Sequence, residues 1–261
     1  MYNKKILRTK EYTEVWEYSK LILTKGELVE KEVHEEKELT KRKDFDELTK
    51  EEQKIRLASM KKKRREAKWR LQRIIDSNFD NRTSFLTLTT KENIKEREKF
   101  IALFKAFVKR FNYAVFNTKK SKLKYCGCLE KQKRGSYHIH LLMFDVPYVP
   151  HKQLLELWGL GAVRINHLDN LDDSANAGRY VSKYLEKGIG DSLLETFSKD
   201  SYLRSRNLKI PVEEKLTSFK PFNIDEKLVV YETDYVSKIY VGGKFEENPV
   251  HYRKIKNREE N

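Results

Sequence analysis

The sequence predicts an α+β fold, an antiparallel sheet with helices packed over one face. Three stretches predict it. Tyr125 to Phe144 reads as a β-hairpin, two strand-like runs on either side of the basic turn Lys131-Gln-Lys-Arg-Gly135. Ser84-Phe-Leu-Thr-Leu-Thr-Thr90 alternates and is β-branched, which marks another strand. Between them, Asn93 to Tyr113 carries Ile94, Phe100, Leu103, Phe104, Phe107 and Phe111, the wide apolar stripe of a helix lying on a sheet.

In chain order, Glu14 to Leu23 has the aromatic and β-branched content of a strand. A mixture of Glu and Lys follows from Glu27 to Lys43, too poor in apolar residues to build a core. Thr49-Lys-Glu-Glu52 is a capping box, and it opens a helical run from Gln53 to Ile75. Beyond the hairpin, Pro147 and Pro150 break the chain, His151 to Trp158 reads as a short amphipathic helix, and Ala162 to Ile165 as a strand. Near the end, Leu228 to Thr233 and Tyr235 to Val241 read as a small β unit. This divides the chain into an N-terminal extension with a strand and a basic helix (1–78), a central domain (79–211), and a C-terminal β unit with a basic tail (212–261).

Charge narrows the partners. The 261 residues hold 55 Lys and Arg against 40 Asp and Glu, a formal net charge of +15, which suits a polyanion such as nucleic acid. Lys61, Lys62, Lys63, Arg64 and Arg65 form a cation block on the first helix, and Arg134 adds a cation at the hairpin turn; these are the candidate phosphate contacts, the alternative for the block being a solvated helix face. No run approaches the ~20 apolar residues that span a bilayer, so no membrane partner is expected. Two cysteines spaced Cys-x-Cys on one strand cannot staple distant parts of a fold, and a reducing cytoplasm is the expected compartment.

The hairpin carries the chemistry. Side chains alternate across a strand, so Cys126, Cys128 and Glu130 share one face of the first strand, and His138 and His140 share one face of the second. With the turn centred near Arg134, Glu130 faces His138 across the ladder, and two imidazoles and a carboxylate converge as a facial ligand set with open positions for substrate or water. Gln132 is the fallback third ligand, and a plain polar strand face is the alternative reading of the histidine pair. Farther on, Gly178 to Gly188 reads as a helix of about two turns, on which Tyr180 and Tyr184 lie four residues apart with Lys183 and Lys187 beside them.

These stretches, in this order, resemble the three motifs of the rolling-circle replication initiators, the HUH endonucleases, named for the His-hydrophobic-His pair that His138-Ile139-His140 matches. The strand Phe-Leu-Thr-Leu-Thr precedes that pair, and Tyr180-Val-Ser-Lys183-Tyr184-Leu-Glu-Lys187 follows it. The doubled tyrosine is similar to the two-tyrosine branch found in some phage and plasmid initiators, and Ser205 to Pro211 resembles a segment that follows the tyrosine helix there. The resemblance covers about residues 84–211. It implies a ferredoxin/RRM-like central antiparallel sheet of about five strands with helices packed on it, in addition to the basic helical N-terminal extension. It also implies Mg²⁺ or Mn²⁺ held by His138, His140 and Glu130, and attack by Tyr180 on single-stranded or hairpin origin DNA, giving a 5′-phosphotyrosine and a free 3′-hydroxyl. Tyr184 would serve a second cut and rejoining, with Lys183 and Lys187 lending positive field to phenols whose ordinary pKa is ~10. The chain has no P-loop motif, so a host helicase and polymerase are the expected partners.

Other readings are a conjugative relaxase or transposase of the same chemistry, a noncatalytic single-strand binder with aromatics on its central strands, and a structural zinc site from Cys126, Cys128, His138 and His140. Tyr235-Val-Ser-Lys238 repeats the local tyrosine pattern within strand-forming sequence and is read as a decoy.

Overall fold

The computed structural model describes residues 1–23, 43–166, 202–241 and 244–257. The chain forms two compact units: one comprises residues 49–210, and the other joins residues 1–48 with 211–261. The boundaries therefore differ from those the sequence suggested. The basic helix belongs with the central domain, and the two ends of the chain build one unit rather than two extensions.

The 49–210 unit is organised on five antiparallel strands: β3 (Ser84–Leu88), β4 (Lys124–Lys131), β5 (Tyr137–Phe144), β6 (Val163–Asn166) and β7 (Leu203–Arg204). Across the sheet they run in the order β6-β3-β5-β4-β7. The helices are α1 (Lys50–Asn78), α2 (Arg97–Phe116) and α3 (His151–Trp158). On one face, Phe100, Phe104, Phe107 and Phe111 of α2 and Trp158 of α3 pack against Leu86, Ile139, Leu141 and Met143. On the other, Leu71, Ile74 and Ile75 of α1 pack against Phe85, Cys126, Cys128, Leu142 and Phe144. Helices thus cover both faces, not one, which corrects the one-sided arrangement expected from sequence. The sign of it is β5, buried at every position from His138 to Phe144, as a central strand between two layers must be.

Helix α1 begins as predicted. Glu52 N–H donates to the Thr49 hydroxyl (3.3 Å), and Thr49 N–H donates to the Glu52 carboxylate (2.8 Å). Its fully buried positions lie in the last two turns, from Leu71 onward, and the cation block lies before them with Lys61, Lys62, Lys63 and Arg65 exposed. Two buried amides anchor the helix ends. Asn78 accepts from Lys209 N–H (2.9 Å) and donates to the Lys209 carbonyl (2.9 Å), pairing with that residue as a strand neighbour would. Asn112, near the end of α2, accepts from the amides of Lys122 (2.9 Å) and Leu123 (2.7 Å) and donates to the Val108 carbonyl (2.8 Å), so it sets where β4 starts.

The other unit is also built on five antiparallel strands: β1 (Tyr2–Arg8), β2 (Tyr12–Ile22), β8 (Val212–Leu216), β9 (Val229–Val241) and β10 (Lys244–Lys256). Their order is β8-β1-β2-β10-β9. Ile6, Val15 and Ile255 form its small core under Phe222, Ile224 and Leu228. The predicted basic tail is the strand β10. Pro249 is tolerated there because β10 pairs with β2 only from Val250 onward. Just before it, the Asn248 amide pairs with both the N–H (2.8 Å) and the carbonyl (3.1 Å) of Lys20 in place of backbone.

Replacing Asn112 by Ala removes three hydrogen bonds and strands two amide protons at the start of β4, so a loss of about 2–4 kcal/mol is expected. Urea unfolding followed by near-UV circular dichroism measures it, and an unchanged midpoint would contradict this role for the amide.

Candidate metal centre

The site is built by hairpin register. In the turn, Gly135 N–H donates to the Gln132 carbonyl (2.7 Å) and Gln132 N–H to the Ser136 carbonyl (2.8 Å). Gly135 has φ +85°, a conformation that a residue with a Cβ adopts only under strain. Arg134 fastens the turn, donating to the Thr90 carbonyl (2.8 Å) and to the Gln132 side-chain oxygen (3.0 Å). Arg134 thus has an architectural task besides its exposed position, and Gln132 is engaged at the turn rather than aimed at the histidines. The resulting register pairs Glu130 with His138 and Cys128 with His140, as the sequence predicted from a turn centred on Arg134.

Three side-chain atoms meet on the α1 side of the sheet. His138 Nε2 lies 3.1 Å from Glu130 Oε2, His140 Nε2 lies 2.8 Å from the same oxygen, and the two ring nitrogens are 2.9 Å apart. A proton on each Nε2 serves at most two of these three contacts; a cation at their centre satisfies all three. The edge lengths fit a particular cation. Magnesium-type ligand distances of ~2.0–2.1 Å place neighbouring ligands of an octahedron ~3.0 Å apart, whereas tetrahedral zinc at similar bond lengths spreads them to ~3.3 Å.

The surroundings favour that use. His138 and His140 are buried, and Glu130 is half-buried. Burial pushes the His138 pKa below its ordinary value against the opposing pull of Glu130, which favours the neutral ring that a metal requires. His138 Nδ1 is buried without a hydrogen-bond partner, so the ring's polar contacts are all at Nε2, inside the triad. Thr87 of β3 faces His140 across the ladder, with its hydroxyl 3.1 Å from His140 Nδ1. A proton on Nδ1 shared with Thr87 leaves the Nε2 lone pair directed at the triad. Sequence reading missed Thr87, although the period-two alternation of β3 already placed it on one face with Phe85.

Cys126 and Cys128 lie on the same sheet face but belong to the apolar cluster under α1. Complete burial pushes both thiols well above their ordinary range, so they stay protonated. Among the described residues the convergent ligand group is Glu130, His138 and His140 without a thiol, which removes the structural zinc reading. The central strand presents histidines at this face rather than the aromatics a stacking surface would need. Tyr180, Lys183, Tyr184 and Lys187 lie outside the described residues. Tyr235 lies within β9 of the other unit, in strand structure as its local sequence indicated. No helix among the described residues is long and apolar enough to cross a membrane.

Fold and site together define an α+β domain whose central hairpin carries a candidate centre of two histidines and one carboxylate. Residues 83–189 match a family of replication-associated proteins, described by its ORF2 members, over a span that includes β3, the whole hairpin and the segment bearing Tyr180 and Tyr184. This similarity to replication-associated proteins supports a role in DNA replication. No curated protein and no solved structure matches the chain significantly.

The intact chain is expected to bind one Mn²⁺ at this site, as measured by calorimetry, and the His138→Ala/His140→Ala double variant is expected to lose it. Thr87→Val should weaken binding by roughly tenfold or more through loss of the ring's outer partner. Undiminished Mn²⁺ affinity in the double variant would refute the ligand assignment.

Proposed function

We propose that the protein is a replication initiator that nicks single-stranded DNA at an origin through a tyrosine nucleophile and rejoins the strand at termination. The observation that carries this reading is the convergence of Glu130, His138 and His140 within a segment similar to replication-associated proteins. These three residues would hold Mg²⁺ or Mn²⁺, whose chemistry when bound is Lewis-acid polarisation of a phosphoryl oxygen.

The chain's own residues account for the rest of the reaction. The Tyr180 phenolate forms a bond to phosphorus as the bond from phosphorus to the 3′-oxygen breaks; the phosphate stays on tyrosine as a 5′-phosphotyrosine, and the released 3′-oxygen takes up a proton to become a primer hydroxyl. A phenol of pKa ~10 is largely protonated near neutrality, and Lys183, three residues along the same helical stretch, supplies the positive field that favours phenolate. Tyr184, with Lys187 in the same relation, supplies a second nucleophile, so that the strand can be cut again and rejoined after one round of synthesis. The single-stranded or hairpin origin is the substrate, and host helicase and polymerase are the partners that unwind and extend.

Phenylalanine keeps the ring and removes the hydroxyl, which separates chemistry from packing. Tyr180→Phe is expected to lose most of the covalent adduct formed with an origin oligonucleotide in a single turnover, and Tyr184→Phe to retain it but fail to terminate a round. The double variant should bind the oligonucleotide without cutting it. Adduct mapped by mass spectrometry to Tyr235, or full activity in the double variant, would overturn the assignment.

A further inference from the structure

The segment after β7 that resembles part of phage-type initiators has no task in the chemistry above, yet it is tied down over its whole length. Ser205 N–H donates to the Tyr125 carbonyl (2.9 Å), and the Ser205 hydroxyl accepts from Tyr125 N–H (3.0 Å). The Asn207 amide donates to the Lys122 carbonyl (3.0 Å), and Lys209 is paired with Asn78 as described above. Such a path fixes the side chains that leave it, and the two leaving outward are Arg204 and Arg206, both exposed.

These guanidinium groups help line a cleft of about 720 Å³ at the β7 edge of the sheet. Arg70 of α1 and Arg97 and Lys105 of α2 line it too, so five cations from three parts of the unit face one space, and no Asp or Glu is among its described lining residues. Its inner wall is aromatic and apolar: Tyr125 and Tyr202 line it, with Tyr125 edge-on to Phe104 at 5.2 Å. Cations held around an aromatic wall are the chemistry that holds a nucleic-acid backbone while leaving a ring face for a base.

The geometry points to a docking cleft for the phosphodiester backbone of single-stranded DNA, separate from the metal centre and flanking it on the substrate path. The inference rests on the proposed nicking function for the identity of its ligand. Tyr125 in the cleft and Glu130 in the triad are five residues apart on β4, about 17 Å at the usual strand rise. A few nucleotides of extended strand bridge that distance. The cleft would therefore hold DNA beside the nick, limit its sliding, and keep one end of the cut strand attached while the other is free.

The test uses the full chain and a fluorescent oligothymidylate, with affinity measured by anisotropy across a salt series. Arg204→Gln/Arg206→Gln is expected to bind roughly tenfold more weakly and to lower the salt slope by about 1.4, from ~0.7 per single-strand phosphate contact. Arg204→Lys/Arg206→Lys should keep the slope, because it keeps the charge. Mn²⁺ affinity at the triad should be unchanged in both variants, which shows that the unit is still folded. Unchanged affinity and slope in the glutamine variant would overturn the cleft, as would a loss seen with heparin and not with the oligonucleotide. Loss of binding in that variant, with no tyrosine adduct in the unaltered protein, would uphold the cleft and sink the nicking function instead.

Discussion

The triad depends on the register of one hairpin. A slip of one residue between β4 and β5 would carry every side chain to the opposite face and turn both imidazoles toward the phenylalanines of α2. Three features hold the register where it is: the left-handed Gly135, the Arg134 guanidinium bound to the Thr90 carbonyl, and the burial of β5 from both sides. The last dominates. Leu142 and Phe144 are committed to the α1 layer and Ile139, Leu141 and Met143 to the α2 layer, so the apolar pattern of the strand also fixes which way its histidines face. Core packing and ligand geometry are one constraint.

Two polar rings in so buried a strand would ordinarily be a liability, since unpaired polar groups in a core are costly. Placing them at the end of β5 next to the turn, with the half-buried Glu130 opposite, keeps one side of the group near solvent. The more deeply buried positions of the same face are filled by Cys126, Leu142 and Phe144, which ask for nothing polar. The sheet face therefore grades from apolar core to ligand group within a few residues.

The hairpin was legible in sequence because its information is local: alternation, a turn glycine, and a register that follows from counting outward from Arg134. The helix α2 was legible because its apolar stripe is long and continuous. Helix α1 was found and its cap identified, but its role was not, since only Leu71, Ile74 and Ile75 at its far end enter the core, against residues that for the most part lie fifty or more positions away. The strands β1, β8 and β10 were missed for another reason. Tyr-Asn-Lys-Lys-Ile-Leu-Arg and Val-Glu-Glu-Lys-Leu are mostly polar, and β10 contains Pro249; what makes them strands is pairing with partners at the far end of the chain. Thr87 was overlooked because its importance lies in the hydrogen bond to His140 and not in its own type.

That distant pairing has a consequence for biosynthesis. The sheet holding β1 and β2 is completed by β8, β9 and β10, so its first strands leave the ribosome some two hundred residues ahead of their partners. The 49–210 unit has all of its strands and helices in between and can close while synthesis continues, whereas the outer sheet must wait for β10. A ribosome that stops early would release the 49–210 unit tethered to two strands with exposed edges, a species open to aggregation and proteolysis. Completion of the outer sheet thus acts as a proofreading step, one that stabilises only chains translated through to the end of β10.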